Sequence, residues 1–266
     1  MRLSTHSCTV LIMAVVSPAA GDDLTIVSKV TSDKNPPAII TSYLASDHLR
    51  MVQADGHEVL IDLKTGDTTN LDGKKKQYYI VTKQEMQAMA ARMQEQLNSP
   101  EMKKMQEQMK NLPPETQKKM ESMMGGATAV DSRKLGTTRK VAGYSCDEWM
   151  VTIGEFSKTR ECLTTELQFS AHAWDAYKEY AESMQAMTQR GPMAKGMAQM
   201  REKSKEMKGF PLATTTSVTI MGRSSNTSRE VTDIKRGPIP VSVWAIPADY
   251  TRVDNPMAKA LQSKSK

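Results

Sequence analysis

Between residues 38 and 82 apolar and polar positions alternate in short runs: "AIITSYLASDHLRMVQ", "VLIDL", "TTNL" and "KQYYIVT". A period of two puts successive side chains on opposite faces, so the segment reads as four strands. Between them lie Asp55-Gly56, Thr65-Gly66-Asp67 and Asp72-Gly73, residues that accept the positive φ of tight hairpins. An earlier run, "LTIVSKVT" at residues 24–31, alternates weakly and adds a further strand.

At residue 82 the period changes. Thr82 and Glu85 have the spacing of a capping box, and Met86, Met89, Met93 and Leu97 follow at helical intervals. After Ser99-Pro100, which suits the start of a helix, the stripe returns as Met102, Met105, Met109 and Leu112. Pro113-Pro114 breaks it and Gly125-Gly126 ends a helical insertion of about 83–125. The second half repeats the theme. "VAGYSCDEWMVTIGEFSKTRECLTTEL" reads as strand, turn, strand. Thr165 and Gln168 form a second capping box, and Leu167, Ala171, Trp174, Tyr177, Ala181, Met184 and Met187 share one helical face. Met193, Met197, Met200 and Met207 prolong this second insertion, about 165–208, before "LATTTSVTIMG", "SREVTDIKR" and "PVSVWAI" return to strands. The fold class is therefore α+β, an antiparallel sheet carrying two Met-rich helical insertions within one domain, 22–254, followed by a flexible tail, 255–266.

The cysteines sharpen the second hairpin. A turn centred on Gly154 sets Cys146 directly opposite Cys162, within disulfide reach, and Glu148 opposite Arg160 on the same face. Trp149, Val151 and Ile153 then share the other face. The same register sets Asp147 against Glu161, a like-charge pair that a bulge or an exposed edge would have to relieve. With no Cys-x-x-Cys and no second cluster, the pair reads as a structural staple and not a redox or metal site.

That staple fits the N-terminus, "MRLSTHSCTVLIMAVVSPAAGDD", which has one early charge at Arg2, an apolar run from Val10 to Val16, and small residues at Ala19, Ala20 and Gly21. This is the layout of a signal peptide over 1–21, and it predicts an exported, periplasmic, soluble protein. The run is too short for a membrane span, and Cys8 lacks the context of a lipidated cysteine. The net charge of +6 is spread through alternating Lys and Glu, as in "EMKKMQEQMK", without interleaved aromatics. That excludes a nucleic-acid footprint.

Chemistry is sparse. His48, His57 and His172 are dispersed, and no hydrolase elbow, zinc-protease motif, phosphate-cradling loop or calcium loop is present. No catalytic constellation or cofactor is called for, so the expectation is a protein that is not an enzyme. The 21 methionines hold the interest. They could fill a core irregularly, line an adaptable apolar surface for a carrier, or offer soft thioethers to Cu(I). Leu, Ile and Val are scarce on these stripes, and neither His nor Cys lies near those of the first insertion, so packing and ligand lining stand ahead of metal.

"DLTIVSKVT", "SDHLRMVQADGHEVLIDLKTG", "KKKQYYIVT", "VAGYSCDEWMVTIGEF", "GFPLATTT" and "VWAIPADYTRV" resemble a family of bacterial exported proteins, domain of unknown function 4412. The resemblance runs from about Leu24 to Val253, with Ala142-Gly143-Tyr144-x-Cys146 and Ile246-Pro247-x-x-Tyr250 its most specific pieces. The family's layout is similar to the Lol-type periplasmic lipoprotein carriers. It implies that the sheet is strongly curved, a half-barrel, with the helices closed over an apolar cavity. Lining residues are then expected at Met86, Met89, Met93, Met105, Met109, Met184, Met187, Trp149 and Val151. The expected cargo is a lipid, an acyl chain or a lipoprotein segment. The alternatives are a Cu(I)-binding protein and an envelope interaction scaffold. Peripheral membrane contact and oligomeric state stay open.

Overall fold

The computed structural model describes residues 23–101, 130–154, 157–167, 205–220 and 223–256, with isolated positions in 104–113 and 199–203. Six strands come first: β1 (Leu24–Ser32), β2 (Ala38–Leu44), β3 (His48–Gln53), β4 (His57–Asp62), β5 (Thr68–Asp72) and β6 (Gln77–Val81). Helix α1 (Lys83–Leu97) follows, then β7 (Val130–Val141), β8 (Tyr144–Ile153), β9 (Ser157–Thr164), β10 (Phe210–Ile220), β11 (Arg223–Arg236) and β12 (Thr251–Arg252). All twelve strands belong to one sheet, in the order β12-β6-β5-β4-β3-β2-β1-β11-β10-β9-β8-β7. The sheet is open, with β12 and β7 at its edges. It consists of two meanders, β1 to β6 and β7 to β11, joined where β1 pairs with β11.

Most expected elements are present, with instructive departures. The long run at residues 38–53 is two strands, because Ala45, Ser46 and Asp47 turn the chain back and Ala45 N donates to the His48 carbonyl at 2.9 Å. Gly56 and Gly66 have the expected positive φ of 88° and 77°. At the third turn that conformation falls on Lys76, at 51°, and Gly73 serves a different need. A Cβ at Gly73 would lie 2.8 Å from the Gly56 carbonyl oxygen, so neighbouring turns pack backbone to backbone there. Between β7 and β8, Ala142 and Gly143 both have positive φ, 48° and 86°. These two loop residues match the requirement of a two-residue hairpin turn for left-handed backbone at both positions.

The sheet is mixed and not wholly antiparallel, since β12 runs parallel to β6. The strand expected from "PVSVWAI" is instead a 3-10 turn, Val241–Trp244. Pro238, Pro240 and Pro247 surround it, and proline cannot donate to a ladder. This segment straps the C-terminal chain to the sheet. Arg50 donates to the carbonyls of Val243 and Ala245, the latter at 3.0 Å, and its Nε donates to Glu58 Oε2 at 2.7 Å. The His48 and Trp244 rings lie 5.4 Å apart.

The capping box at Thr82 is formed as expected. Glu85 N donates to Thr82 Oγ1 at 3.1 Å, and Thr82 N donates to Glu85 Oε2 at 2.8 Å. Most of residues 102–129 of the first insertion, and residues 168–198 of the second, lie outside the described residues, as does the expected signal segment at 1–21. Among the described residues, no helix is long and apolar enough to cross a membrane.

The main core gathers Leu24 and Ile26 of β1, Val231 of β11, Leu212 and Ala213 of β10, and Val141, Cys146, Cys162 and Leu167. Two β-bulges lie in it, between Val27 and Ser28 and between Pro211 and Ala213. A bulge bends its strand and increases local twist. Cys146 and Cys162 are disulfide-bonded, with Cα atoms 5.2 Å apart.

The hairpin register, however, differs by two residues from the Gly154-centred one. Ile153 pairs with Ser157 and Glu148 with Cys162, so the disulfide runs diagonally. Asp147 opposes Leu163, which removes the like-charge pair. The Glu148–Arg160 ion pair survives as a diagonal contact of 2.6 Å.

Two outcomes are expected in unfolding experiments. Serine at both cysteines should cost about 2–4 kcal/mol, read as a lower Tm, with the oxidised bond verified by non-reducing peptide mapping. Arg50→Met should destabilise by about 3–5 kcal/mol in urea, because it strands a largely buried Glu58. Adding Glu58→Leu should recover most of that loss, since the removed charge then has no unpaired partner.

Candidate functional site

Alternation along β8 and β9 divides the hairpin into two chemically different faces. Cys146, Glu148 and Met150 share one face with Arg160 and Cys162. Trp149, Val151 and Ile153 share the other with Thr159, Glu161 and Leu163. On the first face Glu148 is almost fully buried and amply satisfied. It accepts from Thr137 Oγ1 at 2.7 Å and from Arg160 at 2.6 Å. The Thr137 hydrogen bond foremost, then Arg160, hold its carboxyl below the usual range. This is a structural cluster.

The second face holds a cavity of about 170 Å³. Val151, Leu163, Pro211 and Met207 give it apolar walls, Gly209 completes the lining, and Ser132, Glu161 and Lys203 are its polar members. The register explains the assembly: Ser132 of β7 pairs with Val151, and Pro211 of β10 pairs with Leu163. Lys203, Met207 and Gly209 come from the segment that leads into β10. Gly209 lets this segment approach closely. Its φ is 119°, and a Cβ there would lie 2.5 Å from the Thr164 carbonyl oxygen.

Electrostatically the cavity is the reverse of the Glu148 cluster. Burial pushes the Glu161 carboxyl above its ordinary value, and no partner among the described residues offsets it. Ser132 Oγ is buried with no hydrogen-bond partner among the described residues. Lys203 is half-buried and forms no ion pair among the described residues, although it lines the same space as Glu161.

Of the residues expected to line a cavity, Val151 does so and is 6% exposed. Trp149 is half-buried on the same face, directly across from Glu161, beside the lining and not part of it. Met86 is buried on α1 and Met89 half-buried, neither at this cavity. The side chain of Met93, and Met105, Met109, Met184 and Met187, lie outside the described residues. Sequence reasoning missed Ser132, Glu161, Leu163, Lys203, Met207, Gly209 and Pro211 as lining. One signal was available: Glu161 and Leu163 flank Cys162, so a core cysteine turns both to the opposite face. Among the described residues no cluster of three or more His, Cys, Asp or Glu could hold a metal ion.

An open twelve-stranded sheet with a small, mainly apolar cavity on one face defines the structural class. The chain belongs to the family described as Domain of unknown function (DUF4412), which matches residues 60–250. No curated protein matches the sequence. Among solved structures, one titled PNGF-II is 11% identical with a TM-score of 0.39, over 91% of this chain and 33% of that one. A Pseudomonas aeruginosa MucA/MucB complex matches at 13% and 0.41, over 87% and 58%. A putative outer membrane lipoprotein-sorting protein domain from Vibrio parahaemolyticus matches at 9% and 0.29, over 84% and 88%. The chain thus spans a third of the first and just over half of the second. At these TM-scores the likenesses carry no argument about activity.

Glu161 yields a pH prediction. A carboxyl whose folded-state value is raised binds its proton more tightly when folded. Its contribution is therefore most favourable at low pH, and stability falls as pH rises through the raised value. Glu161→Gln should leave Tm near the wild-type value at about pH 4 and raise it at about pH 8. Calorimetry at the two pH values checks this; equal Tm at both would mean that the ionised carboxylate is not penalised.

Proposed function

We propose that this protein is an exported, non-enzymatic binding protein that holds the apolar part of a ligand against the Val151 face of its sheet. The observation that carries the reading is the cavity itself: about 170 Å³ walled by Val151, Leu163, Pro211 and Met207. Its size limits the cargo. Pockets enclosing a whole drug-sized molecule run to roughly 300–1,000 Å³, so this one takes the end of a chain and not an entire lipid. The ligand class is an acyl chain, a lipid tail or the acylated segment of a lipoprotein.

The compartment reading is supported by the disulfide, since such bonds persist in oxidising environments outside the cytosol. Bulges and twist curl the sheet toward a half-barrel, and the two helical insertions act as a lid over it. The methionine stripes, Met86 and Met89 through Met184 and Met187, give that lid a surface that re-packs as cargo enters and leaves. Domain 22–254 then forms one carrier unit behind a cleaved leader.

Native mass spectrometry and solvent extraction of the full chain, purified from its exported fraction, test the proposal. The expected result is an apolar adduct that Val151→Phe reduces about tenfold or more while the far-UV spectrum stays wild-type, because a phenyl ring fills much of the cavity. Adduct-free wild-type protein, or an equal load in both proteins, would overturn the reading.

A further inference from the structure

The second meander is curled more sharply than its strand order suggests. β7 and β11 stand four places apart in the sheet, and among the described residues no ladder joins them directly. Strands lie about 4.8 Å apart, so four steps cover roughly 19 Å along the sheet. Even so, Cα atoms of β7 and β11 come within 8 Å of one another. Side chains bridge the gap, for Arg139 Nη1 of β7 donates to Glu230 Oε2 of β11 at 3.0 Å. Register places both on the disulfide face: Arg139 lies opposite Cys146, and Glu230 opposite Ala213, which in turn pairs with Cys162. That face is therefore concave here, and the Val151 face is the convex one.

The cavity depends on this curvature. Ser132, Val151, Leu163 and Pro211 come from four neighbouring strands, β7 to β10, and stand on the convex face. Bending a sheet splays the side chains of its convex face, and flattening it draws their tips together. The width of the cavity is thus set by how tightly these strands curl.

The contact that closes the gap is suited to opening. The side chains of Arg139 and Glu230 are 43% and 54% exposed, so the pair is weak and screened by salt. Arg139 has a second carboxylate in reach, its Nε lying 3.6 Å from Glu148 Oε1. Glu148 already accepts from Thr137 and Arg160, so it stays satisfied whichever carboxylate Arg139 prefers. Beside the pair, the ladder between β7 and β8 is interrupted from Lys134 to Thr138, where Gly136 has a φ of 73°. The arm of β7 that carries Arg139 is thereby set apart from the arm that carries Ser132.

We infer that the Arg139–Glu230 pair is a latch that keeps the second meander curled and the Val151 cavity open, and that its release flattens the sheet and expels the ligand. The inference rests on the apolar-ligand reading above and adds how that site is regulated. A contact on one face of the sheet controls a site on the other.

Two measurements on the full exported chain test it. One is the distance between nitroxides carried by p-acetylphenylalanine at the exposed positions Thr138 of β7 and Thr227 of β11. The other is calorimetric affinity for octanol as the apolar probe. Glu230→Lys sets like charges together, and should lengthen the distance by several ångströms and weaken octanol binding about fivefold or more. Glu230→Gln should weaken it about two- to fivefold, the range in which an exposed ion pair shifts an equilibrium, and Glu230→Asp should retain most of it. Glu230 is exposed, so these variants are expected to fold, and a wild-type far-UV spectrum verifies this. A distance that Glu230→Lys leaves unchanged overturns the latch, while octanol binding by the wild type still upholds the apolar reading. A longer distance with unchanged affinity overturns control of the cavity. Wild-type protein that binds no octanol overturns the apolar reading and the regulation with it.

Discussion

Pairing of β1 with β11 is the constraint on which the rest of the structure depends. Leu24 lies opposite Arg236 and Ser32 opposite Thr227, so backbone hydrogen bonds join the first strand to the last strand of the second meander in the middle of the sheet. Each half is a meander built from neighbouring strands, and either alone would expose an edge at that seam. Burial of Leu24, Ile26 and Val231 on the joined strands makes the seam part of the core. Contacts so distant in sequence form only after a large loss of chain entropy. This seam is the longest-range strand pairing of the sheet, and the cavity between β7, β8, β9 and β10 lies within the second meander that it anchors.

The disulfide acts on the same meander at closer range. It ties β8 to β9 and lies in the core with Leu212 and Ala213. With the cysteines turned inward, strand alternation forces Glu161 and Leu163 to the opposite face. A carboxylate is thereby placed in an apolar wall, where its charge is penalised, while Glu148 across the strand is fully satisfied. One hairpin thus carries a stabilising polar cluster and a destabilising polar residue back to back. Residues that cost stability without a structural return are where binding chemistry is expected to lie.

Much of this was legible residue by residue. The Thr82–Glu85 capping box, the turns at Gly56 and Gly66, the cysteine pairing and the placement of Val151 on the face away from it follow from local chemistry. The observed register, two residues from the expected Gly154-centred one, was not, because turn length decides register and a two-residue slip preserves which face each side chain occupies. The 3-10 turn at Val241–Trp244 was misread because "VSVW" has strand composition, whereas flanking prolines and the carbonyl contacts of Arg50 settle its conformation. The cavity was half visible: Val151 belonged to a recognisable face, but Ser132, Lys203 and Pro211 reach it from distant segments.

What the sequence determined by itself is what depends on near neighbours: strand alternation, caps, turn glycines and the pairing of two cysteines within one hairpin. The order of strands, the seam between the two meanders and the composition of the cavity were decided by tertiary structure. Those features depend on which apolar faces find one another across some two hundred residues, and backbone pairing of that range leaves no periodic trace in the chain. The polar groups of the cavity illustrate the reason. Ser132, Glu161 and Lys203 are ordinary polar residues of the chain until folding brings them to one cavity, where the buried Ser132 hydroxyl has no partner among the described residues.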